Sequence, residues 1–297
     1  MNNPSEFCYA KPTSLYTREA FASNIHLTDK LQFTKRKETH IMKAYEIASI
    51  IEKEAPLSLA YSWDNVGILC GDSEKEIKKA LLTLDVNEFT VNEAIQNNCG
   101  MIISHHPILL GGIKRIDFST SDGRMLKNLI KNEIVVFSAH TNMDTAKNGI
   151  NTVLADIFEL TDAKILEENG EETGLGRYGN LQKSVSLDEF CETVKTKLNT
   201  PHVRVCGDLK AKIKTVAVAS GSCSDIIPLA KEKGCDVIIT ADMKYHNAMD
   251  SVFSGISVID AGHYPTEIIV MDIFEKLLKN TEIETVKSQN KDIFIYK

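Results

Sequence analysis

The 297-residue sequence offers neither a membrane span nor a disulfide framework. No window approaches the ~18 consecutive apolar residues that a bilayer-crossing helix needs. No basic stretch followed by an apolar one opens the chain, so export is not expected. The seven cysteines, Cys8, Cys70, Cys99, Cys191, Cys206, Cys223 and Cys235, are odd in number, widely spread and free of any CxxC pair. They read as reduced, mostly buried thiols of a cytosolic protein. Positive charge is scarce: 34 Lys and Arg stand against 41 Asp and Glu, for a net charge of −7. A chain that grips nucleic acid by bulk charge usually has a basic face, so nucleic acid is not the expected partner. What is present is a globular balance, 43% hydrophobic and 25% charged, which excludes a disordered or fibrous chain. The length suits two domains or one large one.

Residues 1–41 are polar, lack helical or alternating periodicity and carry the basic run Lys35, Arg36, Lys37. They read as an extension outside the core fold. Glu6, Glu19, Asp29 and Glu38 count against a transit peptide, whose composition avoids acids. From Met42 the apolar positions Ala44, Ile47, Ala48, Ile50 and Ile51 predict a helix ending near Glu54, ahead of Pro56. A short strand is expected at 66–70. Apolar, β-branched runs follow at 80–86, 101–104, 134–139, 215–219, 237–240 and 256–259, with helix-like stretches at 88–97, 123–131 and 224–233. Short, wholly apolar strands alternating with helices predict an α/β fold with a parallel or mostly parallel sheet covered on both faces. The glycine-containing stretch 167–179 reads as a loop or domain connection. Residues 187–198 read as an amphipathic helix introduced by Ser186, 266–279 as a long helix and 292–296 as an edge strand.

In open α/β sheets ligands bind beyond the carboxyl ends of the strands. The polar residues there are unusually uniform in type. Run 101–104 leads into His105, His106 and Pro107, and run 134–139 into His140, Thr141, Asn142 and Asp144. Run 237–240 leads into Asp242, Lys244 and His246, and run 256–259 into His263, Pro265 and Glu267. Imidazole and carboxylate without thiolate suit borderline divalent ions such as Zn, Mn, Fe, Co or Ni. His105, His106, Asp144, His263 and Glu267 supply five side chains, enough for two ions with a bridging carboxylate around an activated water. A lone histidine after a strand is usually a polar loop cap, but a vicinal pair followed by proline sends two rings to opposite sides unless one site claims both. Pro265 is suited to the first helical position, which predicts His263 on the lead-in loop and Glu267 in the first turn. His140 and His246 read equally as proton carriers or ligand supports, and as satisfied loop residues.

At these residues the chain also resembles a known family. SHHPILLGGIKRI, SAHTNMDTAKNGIN and IDAGHYPTEIIVMDIFEKLL, with the opening MKAYEIASIIEKEAP and SWDNVGILCGD, are similar to the NGG-one-interacting-factor-three-like dinuclear-metal proteins. Bacterial members commonly carry the name GTP cyclohydrolase I type 2 homologue. The resemblance runs from Met42 to the C-terminus. It implies two α/β lobes, residues 42–165 plus 260–297 carrying the metal ligands and 166–259 forming the second, with the last helix returning to the first. It further implies a ring-shaped homohexamer, metal ligands at His105, His106, Asp144, His263 and Glu267 with Glu267 as the bridge, and His140 beside them. An extra domain found between the lobes of some members is not expected here. Ala241 stands where the family's motif has glycine, which bears on how that loop approaches the site.

The function expected from residues and resemblance together is a metal-dependent hydrolase of a nucleotide-like small molecule, with GTP ring opening as the family-level reaction and His140 or His246 moving protons. Phosphoester cleavage and a non-enzymatic metal-binding or interaction protein are the alternatives. Gly111-Gly112 with Lys114 and Arg115 reads as an anion nest or as a solvated turn, and Lys244 as a second phosphate partner or a solvated lysine. Trp63, Asp64 and Asn65 read as a turn entering a strand, with Asn65 within reach of the cavity. Gly221 reads as a tight turn.

Overall fold

A computed structural model describes residues 41–297, and the extension read over residues 1–41 lies outside them except for Ile41. In chain order the strands are β1 (Met42–Lys43), β2 (Gly67–Cys70), β3 (Glu76–Ile77), β4 (Lys79–Thr83), β5 (Met101–Ser104), β6 (Val135–Ser138) and β7 (Thr161–Gly170). The remainder are β8 (Thr173–Ser186), β9 (Arg204–Cys206), β10 (Lys212–Val218), β11 (Val237–Thr240), β12 (Ser257–Asp260) and β13 (Glu284–Lys287). They form a five-stranded sheet, β13-β4-β5-β6-β2, a six-stranded sheet, β7-β8-β10-β11-β12-β9, and a small β1-β3 pair. The centres are parallel, β13-β4-β5-β6 in one sheet and β10-β11-β12 in the other, and the flanking strands β2, β8, β7 and β9 run antiparallel. The fold is therefore α/β with mixed sheets.

Burial on both faces explains the unbroken apolar runs. On the five-stranded sheet Ala80, Leu82, Met101, Ile103, Val135 and Phe137 join one core with Val216, Val218, Val237, Ile239 and Ile259 of the six-stranded sheet. The alternate residues Leu81, Ile102 and Val136 form a second core with Val91, Leu126 and Leu129. Ala217, Ile238 and Val258 form a third with Ile227 and Ala230. Helix Ala44–Glu54 ends as its sequence predicts, and it packs against helix Val270–Leu278, which also covers β4.

Three local readings are corrected. Stretch 167–179 is a β-hairpin rather than a loop, since β7 and β8 pair across it. Its glycines serve close approach: a Cβ on Gly174 would stand 2.1 Å from the Glu167 carbonyl oxygen. The terminal run 292–296 is not a strand, and β13 at Glu284–Lys287 takes the edge beside β4. Helix 266–279 divides into His263–Glu267 and Val270–Leu278, so His263 lies inside a helical turn and not on a lead-in loop.

Candidate metal centre

Parallel register assembles the site. Thr83, Ser104 and Ser138 close β4, β5 and β6 level with one another, so the residues two beyond each, Asp85, His106 and His140, emerge side by side. In the other sheet Thr240 is level with Asp260, which sets Asp242 beside the turn carrying His263. Helix His263–Glu267 then puts its first and last residues on one face, with His263 Nε2 2.9 Å from Glu267 Oε2. All these groups lie past strand carboxyl ends, where the two sheets face each other.

Four histidines each have Nδ1 committed to an oxygen that can only accept. His105 donates to the Ala139 carbonyl at 2.8 Å, His106 to Asp85 at 2.7 Å, His140 to Asp64 at 2.9 Å and His263 to Asp242 at 2.7 Å. In the neutral ring each Nδ1 therefore carries the proton, which makes Nε2 the nitrogen that each ring would offer to a cation. Asp242 reaches His263 from a left-handed turn, φ +53°, which aspartate tolerates better than most residues.

Two donor groups share one carboxylate. His105, Asp144 and Glu267 form one, and His106, His263 and Glu267 the other, with donor atoms within 4.8 Å of one another in each. Glu267 divides its oxygens between them. Oε2 lies 2.9 Å from both His106 Nε2 and His263 Nε2, while Oε1 lies 3.8 Å from His105 Nε2. His105, His106 and His140 make a third group of the same reach.

Electrostatics bind these groups into one cluster. Burial lowers the affinity of His106 for a proton, but Asp85 and Glu267 outweigh it and push its pKa up to about 10. His263 rises to about 9, since Glu267 and Asp242 overcome its burial. Burial raises Glu267, yet the nearby His105 imidazole and hydrogen bonds from His106 and His263 hold it well below the ordinary carboxylate range. Asp144 is raised, by burial first and by the nearby Glu267 charge, despite His105. His105 Nε2 is buried with no hydrogen-bond partner, 3.7 Å from Asp144 Oδ1. An orphaned imidazole nitrogen among two buried carboxylates and two further imidazoles fits a divalent cation.

All five side chains read from the sequence as ligands meet here, and His140 stands beside them, its ring centroid 5.1 Å from that of His105 and 5.5 Å from that of His106. His246 does not. Strand β11 ends at Thr240, and by residue 246 the chain has entered helix Tyr245–Ser254, where His246 is exposed and packs edge-on to Tyr245. Ala241 is buried and its N–H donates to the Gly221 carbonyl at 2.8 Å. Lys114 and Arg115 line a surface cavity of about 580 Å³ with Gly111 and Gly112. Two partners escaped sequence reading. Asp85 sits inside the run read as strand 80–86, and Asp64 belongs to the turn 63–65. Cys223 lies nearby, but burial and the charges of Asp144 and Glu267 push its thiol far up, and among the described residues no cysteine joins a donor group.

Fold and cluster together define an α/β protein with a candidate histidine–carboxylate metal centre between two sheets. Residues 42–293 match the model of the family Duf34/NIF3 (NGG1p interacting factor 3), and the chain belongs to it. A relative from Clostridium acetobutylicum, named GTP cyclohydrolase 1 type 2 homolog, is 39% identical over 77% of this chain and 88% of its own. One of the same name from Clostridium perfringens is 36% identical over 85% and 99%. Among solved structures, a Bacillus cereus protein related to NIF3 superposes with a TM-score of 0.81 at 26% identity, covering 86% of this chain and all of that one. Reduced HcgD from Methanocaldococcus jannaschii gives 0.75 at 33% identity, over 85% and 100%. No helix among the described residues is long and apolar enough to cross a membrane.

Proposed function

We propose that this chain is a metal-dependent hydrolase of a nucleotide-like substrate, with GTP ring opening as its leading reaction. In this reading His105, His106, Asp144, His263 and Glu267 would hold two divalent ions, with Glu267 common to both donor groups, and the protein works in the cytoplasm. The observation that carries it is the partnerless, buried His105 Nε2 beside Asp144 and Glu267. The names borne by the relatives support the substrate class. Bound ions of this kind polarise the substrate and bring a water's pKa toward neutrality.

The chain's own residues do the rest. Asp85 and Asp242 fix the rings of His106 and His263 so that both Nε2 atoms converge on Glu267. Asp64 fixes His140 in the same way and leaves its Nε2 to take and return a proton at the edge of the cluster. Residues 42–165 with 260–297, and 166–259, are the two lobes of this reading, closing on the centre from either side. A ring of six copies completes it, and the exposed Leu110, Ile113, Ile116 and Phe118 offer apolar surface for self-association.

The test is metal analysis of the purified protein together with assays for formate and phosphate release from GTP. About two ions per chain are expected, with formate released by the native protein and not by Glu267→Ala. Phosphate without formate would replace ring opening by phosphoester cleavage. Full metal content without turnover of any nucleotide would leave a metal-binding protein. Light scattering reads the ring.

A further inference from the structure

Beside the cluster stands an aromatic pair that the proposed hydrolysis leaves unused. Trp63 is the sole tryptophan of the chain and keeps 59% of its surface exposed. The turn that presents it is fastened firmly. Tyr61 N–H donates to Thr141 Oγ1 at 3.0 Å, and Asp64 N–H donates back to the Tyr61 carbonyl at 2.9 Å. The Asp64 side chain has no exposed surface and accepts from His140 Nδ1, from the Thr141 N–H and hydroxyl, and from the Asn65 N–H. Tyr61 lies nearly parallel to the indole, with centroids 6.0 Å apart and planes 14° apart, and its hydroxyl reaches Glu167 at 3.5 Å. The indole meets the His140 ring edge-on at 6.0 Å and 77°. One ring further in are His105 and His106.

A large planar side chain is thus presented on a fastened turn, open to solvent, within one ring of the candidate metal ligands. The turn that carries the indole is pinned by the bonds of the buried Asp64 side chain, and the ring itself rests between Tyr61 and His140. A flat, apolar partner that covers it would recover the hydrophobic and π-stacking free energy left unused, at little cost in ordering, because the ring is already positioned. Aromatic platforms accept any base, since every base has a π-face. The residues of the cluster would then act on the bond to be broken, while the platform selects substrates that carry a ring.

We propose that Trp63, backed by Tyr61, is the stacking platform for the planar heteroaromatic ring of the substrate, a purine-type base. This rests on the nucleotide-like substrate of the preceding reading and assigns the part of the substrate that the metal ligands leave without a partner. It makes Trp63 a determinant of specificity for ring-bearing substrates over phosphate compounds without a ring.

Because Trp63 is the only tryptophan, intrinsic emission reports on this residue alone. The metal-loaded full chain is titrated with GTP, guanosine and inorganic tripolyphosphate, exciting beyond the purine band. Saturable quenching by GTP and guanosine, and none by tripolyphosphate, is expected. Trp63→Ala is expected to raise the KM for GTP at least ten-fold with a smaller change in kcat, and Trp63→Phe to restore it to within a few-fold. Both variants should keep the native metal content and circular dichroism. Binding of GTP and guanosine by calorimetry with no change in emission would overturn the proposal, as would an unchanged KM in Trp63→Ala or no binding of either compound. Emission that shifts with protein concentration and ignores nucleoside would also overturn it, because a second copy would then cover the indole. Quenching by guanosine without GTP turnover would sink the hydrolase reading and leave the platform standing. Formate release with KM unmoved in Trp63→Ala would do the reverse.

Discussion

Gly221 and Glu267 approach so closely that a Cβ at position 221 would stand 2.1 Å from Glu267 Oε1 and 3.3 Å from His263 Nε2. The backbone there is left-handed, φ +62°, and the Gly221 N–H donates to Thr266 Oγ1 in the helix that carries Glu267. Glycine thus does two jobs, allowing the turn after β10 and leaving the space that the shared carboxylate fills. Gly221→Ala is expected to displace Glu267 and reduce bound metal to less than half of the native content, with the far-ultraviolet circular dichroism preserved. Native metal stoichiometry in that variant would show that the carboxylate is not confined by this turn.

The titration of the cluster sets how stability depends on pH without metal. His106 and His263 bind protons more tightly in the folded chain, at about 10 and about 9 against an ordinary 6.5. Their contribution is complete below about pH 6.5 and is lost as pH rises through those values. Glu267 is depressed below its ordinary 4.5, so its contribution is complete above that and is lost on acidification. Chelator-treated protein is expected to have its highest Tm between about pH 4.5 and 6.5 and a falling Tm toward pH 10. Metal favours the neutral imidazoles, so the Tm gained on loading should grow from pH 6 to pH 9. Paired thermal melts measure this, and a flat metal-free profile would contradict it.

The strand ends were legible because burial on both faces makes each central strand a continuous apolar run, and the polar residues that follow stand out. His105, His106, Asp144, His263 and Glu267 could be picked out on that ground. Asp85 could not, because it follows β4 within one apolar run and its partner His106 is fixed by cross-strand register. A sequence signal existed, since both residues lie two positions past a strand end, but using it requires knowing which strands are neighbours. Asp64 was hidden differently. Its partner His140 is 76 residues away, and a turn-forming sequence accounts for an aspartate without one. The hairpin across 167–179 was misread because its glycines, which permit close strand approach, look the same as loop glycines. His246 misled because a strand-end rule loses force once the chain has entered a helix.

The aspartates behind the rings should separate orientation from ligation. Asp85 and Asp242 are about half exposed and each holds one Nδ1. Asp85→Asn and Asp242→Asn are expected to cost roughly 10–100-fold in metal affinity, the usual effect of removing such a partner, with the far-ultraviolet circular dichroism preserved. Asp64→Asn should in addition cost about 1–3 kcal/mol of stability, because its buried carboxylate serves His140, Thr141 and Asn65 together. Competition with a chromogenic chelator reads the affinities and urea unfolding the stability. Equal metal affinity in native, Asp85→Asn and Asp242→Asn proteins would remove the orienting role.

His140 poses the sharpest question, because its geometry permits two roles. It lies within ligand reach of His105 and His106, yet it belongs to neither group that Glu267 serves. Its Nδ1 is held by the fully buried Asp64 side chain, and its ring faces both the candidate ligands His105 and His106 and the open indole of Trp63. That position suits a group that exchanges a proton with a bound substrate, so His140→Gln is expected to keep the native metal content and lose roughly 10²–10⁴-fold in kcat. His246→Gln, on an exposed helix beside Tyr245, should leave both unchanged. Metal per chain and turnover, measured on the same preparations, decide between the roles. If His140→Gln loses one ion along with activity, His140 is a ligand and the proton must be moved by another group.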